Sequence, residues 1–158
     1  MNNNYHQDQS SPYEDRVIQV NRTSKKTSGG NRIGFSVLVI VGDKKGNVGA
    51  GLGKAPDVLG AIRKGSTYAK KHMVNVPMKD DRTIPHRIEV KYGAAKILLK
   101  PAPKGSGIIA GSAVRVVLEL AGIKDVVGKI LGTNNKITNV YATMKAMGKL
   151  RTVSEVKN

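Results

Sequence analysis

Three glycines, Gly105, Gly107 and Gly111, stand in the order G-x-G-x-x-x-G ahead of the apolar stretch SAVRVVLELA. Such a loop between a strand and a helix offers backbone amides and a helix N-terminus to a phosphate. A dinucleotide site would also need an acid at the far end of the next strand, to hold the ribose hydroxyls. Asp125 lies 20 residues beyond Gly105, a fitting count, but it stands at the beginning of its strand. The far end, Leu131 to Asn134, has no acid, and Pro101 and Pro103 interrupt the strand before the loop. The plainer reading is a loop whose glycines permit positive φ and close backbone approach. Its amides, with Lys104, would attract an RNA phosphate or an acidic side chain of another protein.

GNVGAGLGKA, Gly46 to Ala55, imitates a P-loop. That motif needs a glycine five residues before the Gly-Lys pair and a Ser or Thr after it. Val48 and Ala55 occupy those positions, so no magnesium-binding hydroxyl is present. Alternating Gly49, Gly51 and Gly53 instead give a smooth strand face that another backbone or RNA can approach. His72 follows two lysines near a helix end, and His86 adjoins Pro85; neither has an evident Ser, Cys or carboxylate partner. Asp80-Asp81 sits between Lys79 and Arg82, and no catalytic set emerges. No enzyme activity, cofactor, metal or small-molecule substrate is expected.

The totals point elsewhere. The chain has 158 residues, 39% hydrophobic, with one Phe and no Trp, so any core is aliphatic. With no Cys and three His, disulfides are excluded and a zinc site is not expected. No apolar run approaches the roughly 18 residues of a membrane span. The first fifteen residues have no apolar stretch and no cleavage-like pattern, so secretion is not expected and a cytoplasmic location fits. The net charge is +16. Charge of that size repels itself in a compact state and implies an anionic partner, nucleic acid before membrane.

The elements that would position these residues fall into two groups. Residues 1–14 are polar and expected to be disordered. RVIQVNRT (Arg16–Thr23) reads as a strand, SKKTSGGN as a turn, and FSVLVIV (Phe35–Val41) as a strand apolar on both faces, hence covered on both. GDKKGN is a hairpin loop, and VGAGLGK (Val48–Lys54) the third strand. Pro56 and Asp57 open a helix with Leu59, Ile62, Ala69, Met73 and Val76 as its buried stripe, and with Arg63, Lys64, Lys70 and Lys71 facing outward. Residues 78–85 read as a linker. Ile88 to Tyr92 and Lys96 to Lys100 form a strand pair turning at Gly93-Ala94. The glycine loop follows, then a helix capped by Ser112 and ended by Gly122, a strand over Asp125–Leu131, and a helix carrying Ile137, Val140, Met144 and Met147. The fold class is therefore α+β, with two small domains: β-β-β-α over 15–77 and β-β-α-β-α over 86–150, followed by a tail over 151–158.

The basic residues carry the functional reading. No acid lies between Arg16 and Gly42, while Arg22, Lys25, Lys26 and Arg32 flank one glycine turn. Lys44-Lys45 tips the next hairpin. Such tips bring charge and amides to phosphates, which dominate nucleic-acid affinity. There is no helix-turn-helix pattern and no zinc finger, and few aromatics are available for base stacking. A β-β-β-α unit with basic tips is like a double-stranded-RNA-binding domain lacking its first helix, a module that reads shape and backbone.

VNRTSKKTSGGNRIGFSVLVIVGDKKGNVGAGLGKA (Val20–Ala55), the helix through KKHMVNV, and PAPKGSGIIAGSAVRVVLELAGIKDVVGKILGTNN together resemble the bacterial small-subunit ribosomal protein five family over about Glu14 to Leu150. The resemblance implies a double-stranded-RNA-binding-like first domain and a second domain with a left-handed strand-helix-strand crossover. It implies a structural protein of the small ribosomal subunit that binds the 16S rRNA, joins body to head, contacts small-subunit proteins four and eight, lies where messenger RNA enters, and supports decoding accuracy. A free double-stranded-RNA binder is the alternative. The implied RNA-contact residues are Arg22, Lys25, Lys26, Ser28, Gly29, Gly30, Asn31, Arg32, Lys44, Lys45 and Lys54. Family members often carry Lys before the glycine pair and Arg after it. Ser28 and Asn31 stand there in this chain, so fewer contacts beside the spectinomycin site are expected. Gly105, Gly107, Gly111 and Arg115 would face protein four.

Overall fold

The computed structural model describes residues 11–156. The expected disordered tail lies mostly outside them, in residues 1–10. At Glu14, however, the first strand has already begun: β1 (Glu14–Thr27) pairs antiparallel with β2 (Gly30–Gly42), and Glu14 lies opposite Gly42. β3 (Asn47–Ala55) returns beside β2. The helix α1 (Val58–Lys71) follows, started by Asp57, whose carboxylate accepts the Gly60 amide at 2.8 Å. A two-residue strand, β4 (Val74–Asn75), then pairs with β3, so this sheet has four strands in the order β1-β2-β3-β4. Its shortness hides it from strand periodicity.

β2 is covered on both faces, as its sequence requires. Val37, Val39 and Val41 pack with Ala61 and Ala69 of α1. Leu38 and Ile40 enter a larger core with residues of the second half of the chain. β3 divides the same way. Val48 and Ala50 join the larger core, while Gly49, Gly51 and Gly53 face α1. A Cβ at any of these three glycines would overlap a helix carbonyl oxygen, of Ala69, Gly65 and Ala61 in turn. The backbone that approaches the smooth strand face is thus the protein's own helix. The expected helix stripe changes accordingly. Leu59 is 55% exposed and Ile62 half-buried, because contact this close admits only Ala61, Gly65, Ser66 and Ala69, while Met73 and Val76 lie beyond the end of α1.

Residues 78–85 combine an exposed turn with one buried anchor. Lys79 and Thr83 bridge across a tight turn with Asp80 and Asp81 at φ 55° and 51°, and Ile84 is fully buried. Beyond them, β5 (Ile88–Tyr92) and β6 (Ala95–Pro101) form the expected hairpin. A short strand, β7 (Ile108–Ile109), precedes α2 (Ser112–Ala121); β8 (Val126–Ile130) lies between β6 and β7, antiparallel to the first and parallel to the second. The crossover is therefore β7-α2-β8. The helix α3 (Lys136–Gly148) is capped by the Asn135 side chain, and a single turn, α4 (Val153–Val156), follows. At α2 the N-cap is Gly111, not Ser112: the Gly111 carbonyl already accepts the Arg115 amide at 2.7 Å, so the helix starts one residue early. Gly122 ends α2 in the left-handed conformation, as expected.

Candidate nucleic-acid interface and the glycine loop

The last β2–β3 partner pair is Phe35 with Ala55, so from Thr23 to Gly34 the first two strands pair only with each other. They make a two-stranded arm about 15 Å long beyond the third strand. The expected broad turn is in fact strand, closed by a tight turn at Ser28-Gly29, where the Thr27 hydroxyl donates to the Gly30 carbonyl at 2.9 Å. Register sets the chemistry. Lys25 lies opposite Arg32 on one face, while Lys26 opposite Asn31 and Arg22 opposite Phe35 share the other. Arg22, Lys25, Lys26, Ser28, Gly29, Gly30, Asn31 and Arg32 are all exposed. At the base of the arm a groove of about 310 Å³ is lined by Lys25, Arg32 and Lys54, one cation from each strand. None of these cations is ion-paired with a described residue. Like charges directly opposite one another destabilise a sheet until an anion joins them.

Lys44-Lys45 lies at the other end of β2, some 40 Å away. This tip does not project. The Lys44 and Gly46 amides donate to the Leu120 and Ala121 carbonyls at 3.0 and 2.9 Å, satisfying groups that the end of α2 leaves open. The Lys44 ammonium pairs with Glu14 at 2.6 Å. Glu14 pairs with Arg16, Arg16 with Glu119 at 2.7 Å, and Glu119 with Arg115 at 3.0 Å, so five charges run from the hairpin to α2. The Lys44 amide and the Arg16–Glu119 pair thus tie the two halves together, and the Lys44 ammonium, half exposed, already has a partner in Glu14; Lys45 is unpaired among the described residues. Because the Lys44–Glu14 pair is half exposed, Lys44→Ala is expected to change the free energy of unfolding by less than about 1 kcal/mol in a urea titration.

The glycine loop carries its own anion. Gly105 and Gly107 adopt φ of 92° and 69°, which turns both amides inward to one oxygen of Asp125, at 3.1 and 3.0 Å. The other oxygen accepts from Arg82 Nε at 2.9 Å. Asp125 is 1% exposed. The Gly107 amide, working against burial and aided by Arg82 and the Gly105 amide, holds this carboxyl below the ordinary aspartate range. A phosphate finds those amides taken. The outer surface is open: a Cβ at Gly105 or Gly107 would meet nothing within 4 Å. At Gly111, also exposed, a Cβ would lie 2.8 Å from Ile130 Cδ1, the far end of a side chain that can move aside. Arg115 is exposed and held by Glu119.

His72 stacks on Tyr68, and His86 accepts the Arg151 amide at 3.0 Å. Among the described residues no three His, Cys, Asp or Glu side chains gather to hold a metal, and no helix is long and apolar enough to cross a membrane. Sequence reading missed Arg82, whose signal was only a basic residue in a charged turn. It also left the outward face of α1 unassigned.

Two family models match: "Ribosomal protein S5, N-terminal domain" over residues 13–77 and "Ribosomal protein S5, C-terminal domain" over residues 90–158. The small ribosomal subunit protein uS5 of Thermus thermophilus is 49% identical over 145 residues, covering 92% of this chain and 89% of that protein. The uS5 of Acaryochloris marina is 47% identical over 154 residues, covering 98% and 87%, and that of Synechococcus elongatus is 49% identical over 146 residues, covering 92% and 81%. With both domain models matched and relatives nearly half identical along most of its length, the chain belongs to the ribosomal protein S5 family.

Proposed function

We propose that the β1–β2 arm and the groove at its base are the principal contact of this protein with the 16S rRNA, within its role as a structural protein of the small ribosomal subunit. The family is one of ribosomal structural proteins, not of enzymes. The observation that carries the proposal is the arm itself: Lys25, Arg32 and Lys54 line one groove with no counter-ion among the described residues, on a chain of net charge +16. In this reading Arg22 and Lys26 serve the arm's other face, and Ser28, Gly29, Gly30 and Asn31 its tip. Lys45 adds a distant contact.

The open surface over Gly105 and Gly107, with Arg115 beside it, meets small-subunit protein four, and protein eight is a further neighbour. Through these contacts the protein joins body and head near the messenger path and supports decoding accuracy. Gly111, the N-cap of α2, belongs to the same contact, and the Lys44 amide helps hold the fold.

The test is RNA affinity across a salt series. Lys25→Ala combined with Arg32→Ala is expected to reduce the slope of log K against log salt by about 1.5 to 2, as lost phosphate contacts do. An unchanged slope would show that the arm faces water. Equal affinity for generic duplexes and for folded small-subunit RNA would favour a free double-stranded-RNA binder.

A further inference from the structure

The outer face of α1 is basic and also aromatic. Arg63, Lys64 and Lys71 line a shallow groove of about 360 Å³ with Thr67 and Tyr68. None of these three cations, nor Lys70, is ion-paired with a described residue. Tyr68 is 48% exposed, and one side of its ring stacks on His72 with centroids 4.1 Å apart. The second half of the chain also carries aromatic residues. Val74, just beyond α1, reaches the end of α3 at Gly148. On α3, Tyr141 lies 6.0 Å from Tyr92 of β5. Burial raises the Tyr141 pKa, and the phenols of Tyr68 and Tyr92 raise it further. Lys145, one turn beyond Tyr141, donates to the Lys91 carbonyl at 3.3 Å and adds charge beside them. Tyr68 thus stands in one groove with three cations that have no ion-pair partner among the described residues.

We propose that this face is a second RNA-contact surface, distinct from the β1–β2 arm. It takes a single-stranded segment by stacking an unpaired base on Tyr68 while Arg63, Lys64 and Lys71 hold its phosphates. Cations alone would suit any anion. An exposed ring already stacked on one side favours a second planar partner, and a base offers one only when unstacked from its neighbours. An acidic protein segment would use the cations and leave Tyr68 without a role.

The proposal rests on the protein being an RNA binder, and the test separates the two. The full chain is titrated with a short oligouridine and, separately, with folded small-subunit RNA and with polyglutamate. Tyr68→Ala is expected to weaken oligouridine binding about five-fold or more, while Tyr68→Phe binds as the wild type does. Arg63→Ala, Lys64→Ala and Lys71→Ala together are expected to lower the salt slope by about 2. An oligomer carrying 4-thiouridine is expected to photocrosslink to Tyr68 of the unaltered protein, a readout that does not depend on any variant folding. Oligouridine binding that ignores Tyr68→Ala and the triple change, or polyglutamate binding as tightly at the same cations, overturns the proposal. If the arm variant Lys25→Ala/Arg32→Ala still weakens folded-RNA binding, the family role stands. A wild-type chain that binds no RNA overturns both.

Discussion

Alanine at Gly53 is expected to destabilise the protein by about 3 kcal/mol or more, the upper range for overpacking a core. The added methyl would overlap the Ala61 carbonyl oxygen and lie 2.6 Å from the Gly65 nitrogen. Both atoms are helix backbone, so no rotamer change relieves the clash. The contact is also not local. Alternate strand residues recur about every 6.6 Å and every fourth helix residue about every 6.0 Å, so Gly49, Gly51 and Gly53 stay in step with Ala69, Gly65 and Ala61. Lifting α1 at one point strains all three contacts and opens the core of Val37, Val39, Ala61 and Ala69. Gly29→Ala is the control. A Cβ there meets nothing within 4 Å, and the expected change is below about 0.5 kcal/mol. Urea titration of both variants decides the matter; a Gly53→Ala protein as stable as the control would show that α1 does not ride on β3.

Asp125→Asn is the second large effect, and it has a pH signature. The substitution nearly keeps the shape but removes the charge that holds Arg82 and both loop amides. The folded-state pKa of Asp125 is depressed. Its contribution is therefore complete above the unfolded value of about 3.9, allowing a unit of margin, and is lost as pH falls through the lower folded value. The urea midpoints of wild type and variant should differ most above about pH 5 and converge on acidification. Amide exchange at Gly105 and Gly107 is expected to quicken about ten-fold or more, as when bonds to a charged acceptor are lost. A constant gap between the two midpoints at all pH values would mean that packing, not charge, is what Asp125 supplies. The loop's outer face is the proposed contact with protein four, so the same variant should weaken that contact without changing the salt slope of RNA binding.

The residues that misled sequence reading did so for physical reasons. FSVLVIV announced burial on both faces because β-branched residues fill both parities, and α1 and the second core cover them. The arm was legible as charge but not as strand, since Thr23 to Lys26 carry no apolar alternation and their pairing rests on register with Gly34 to Asn31. Leu59 fitted the helical period, yet burial followed the close glycine contact, which admits only small side chains. Lys44 looked free because its partners, Glu14 and the end of α2, lie far off in the chain. Asp125 stood at the wrong end of its strand for a ribose. That position is where it can fill the loop from behind, so the same fact that removed a cofactor explains how the loop is held.

The most direct measurement is sedimentation of the purified protein with small ribosomal subunits lacking it, through gradients of rising salt. The protein is expected to travel with the subunits at low salt and to be released steeply as salt rises, with release shifted to lower salt by Lys25→Ala/Arg32→Ala. A protein that remains at the top of the gradient at low salt would contradict it.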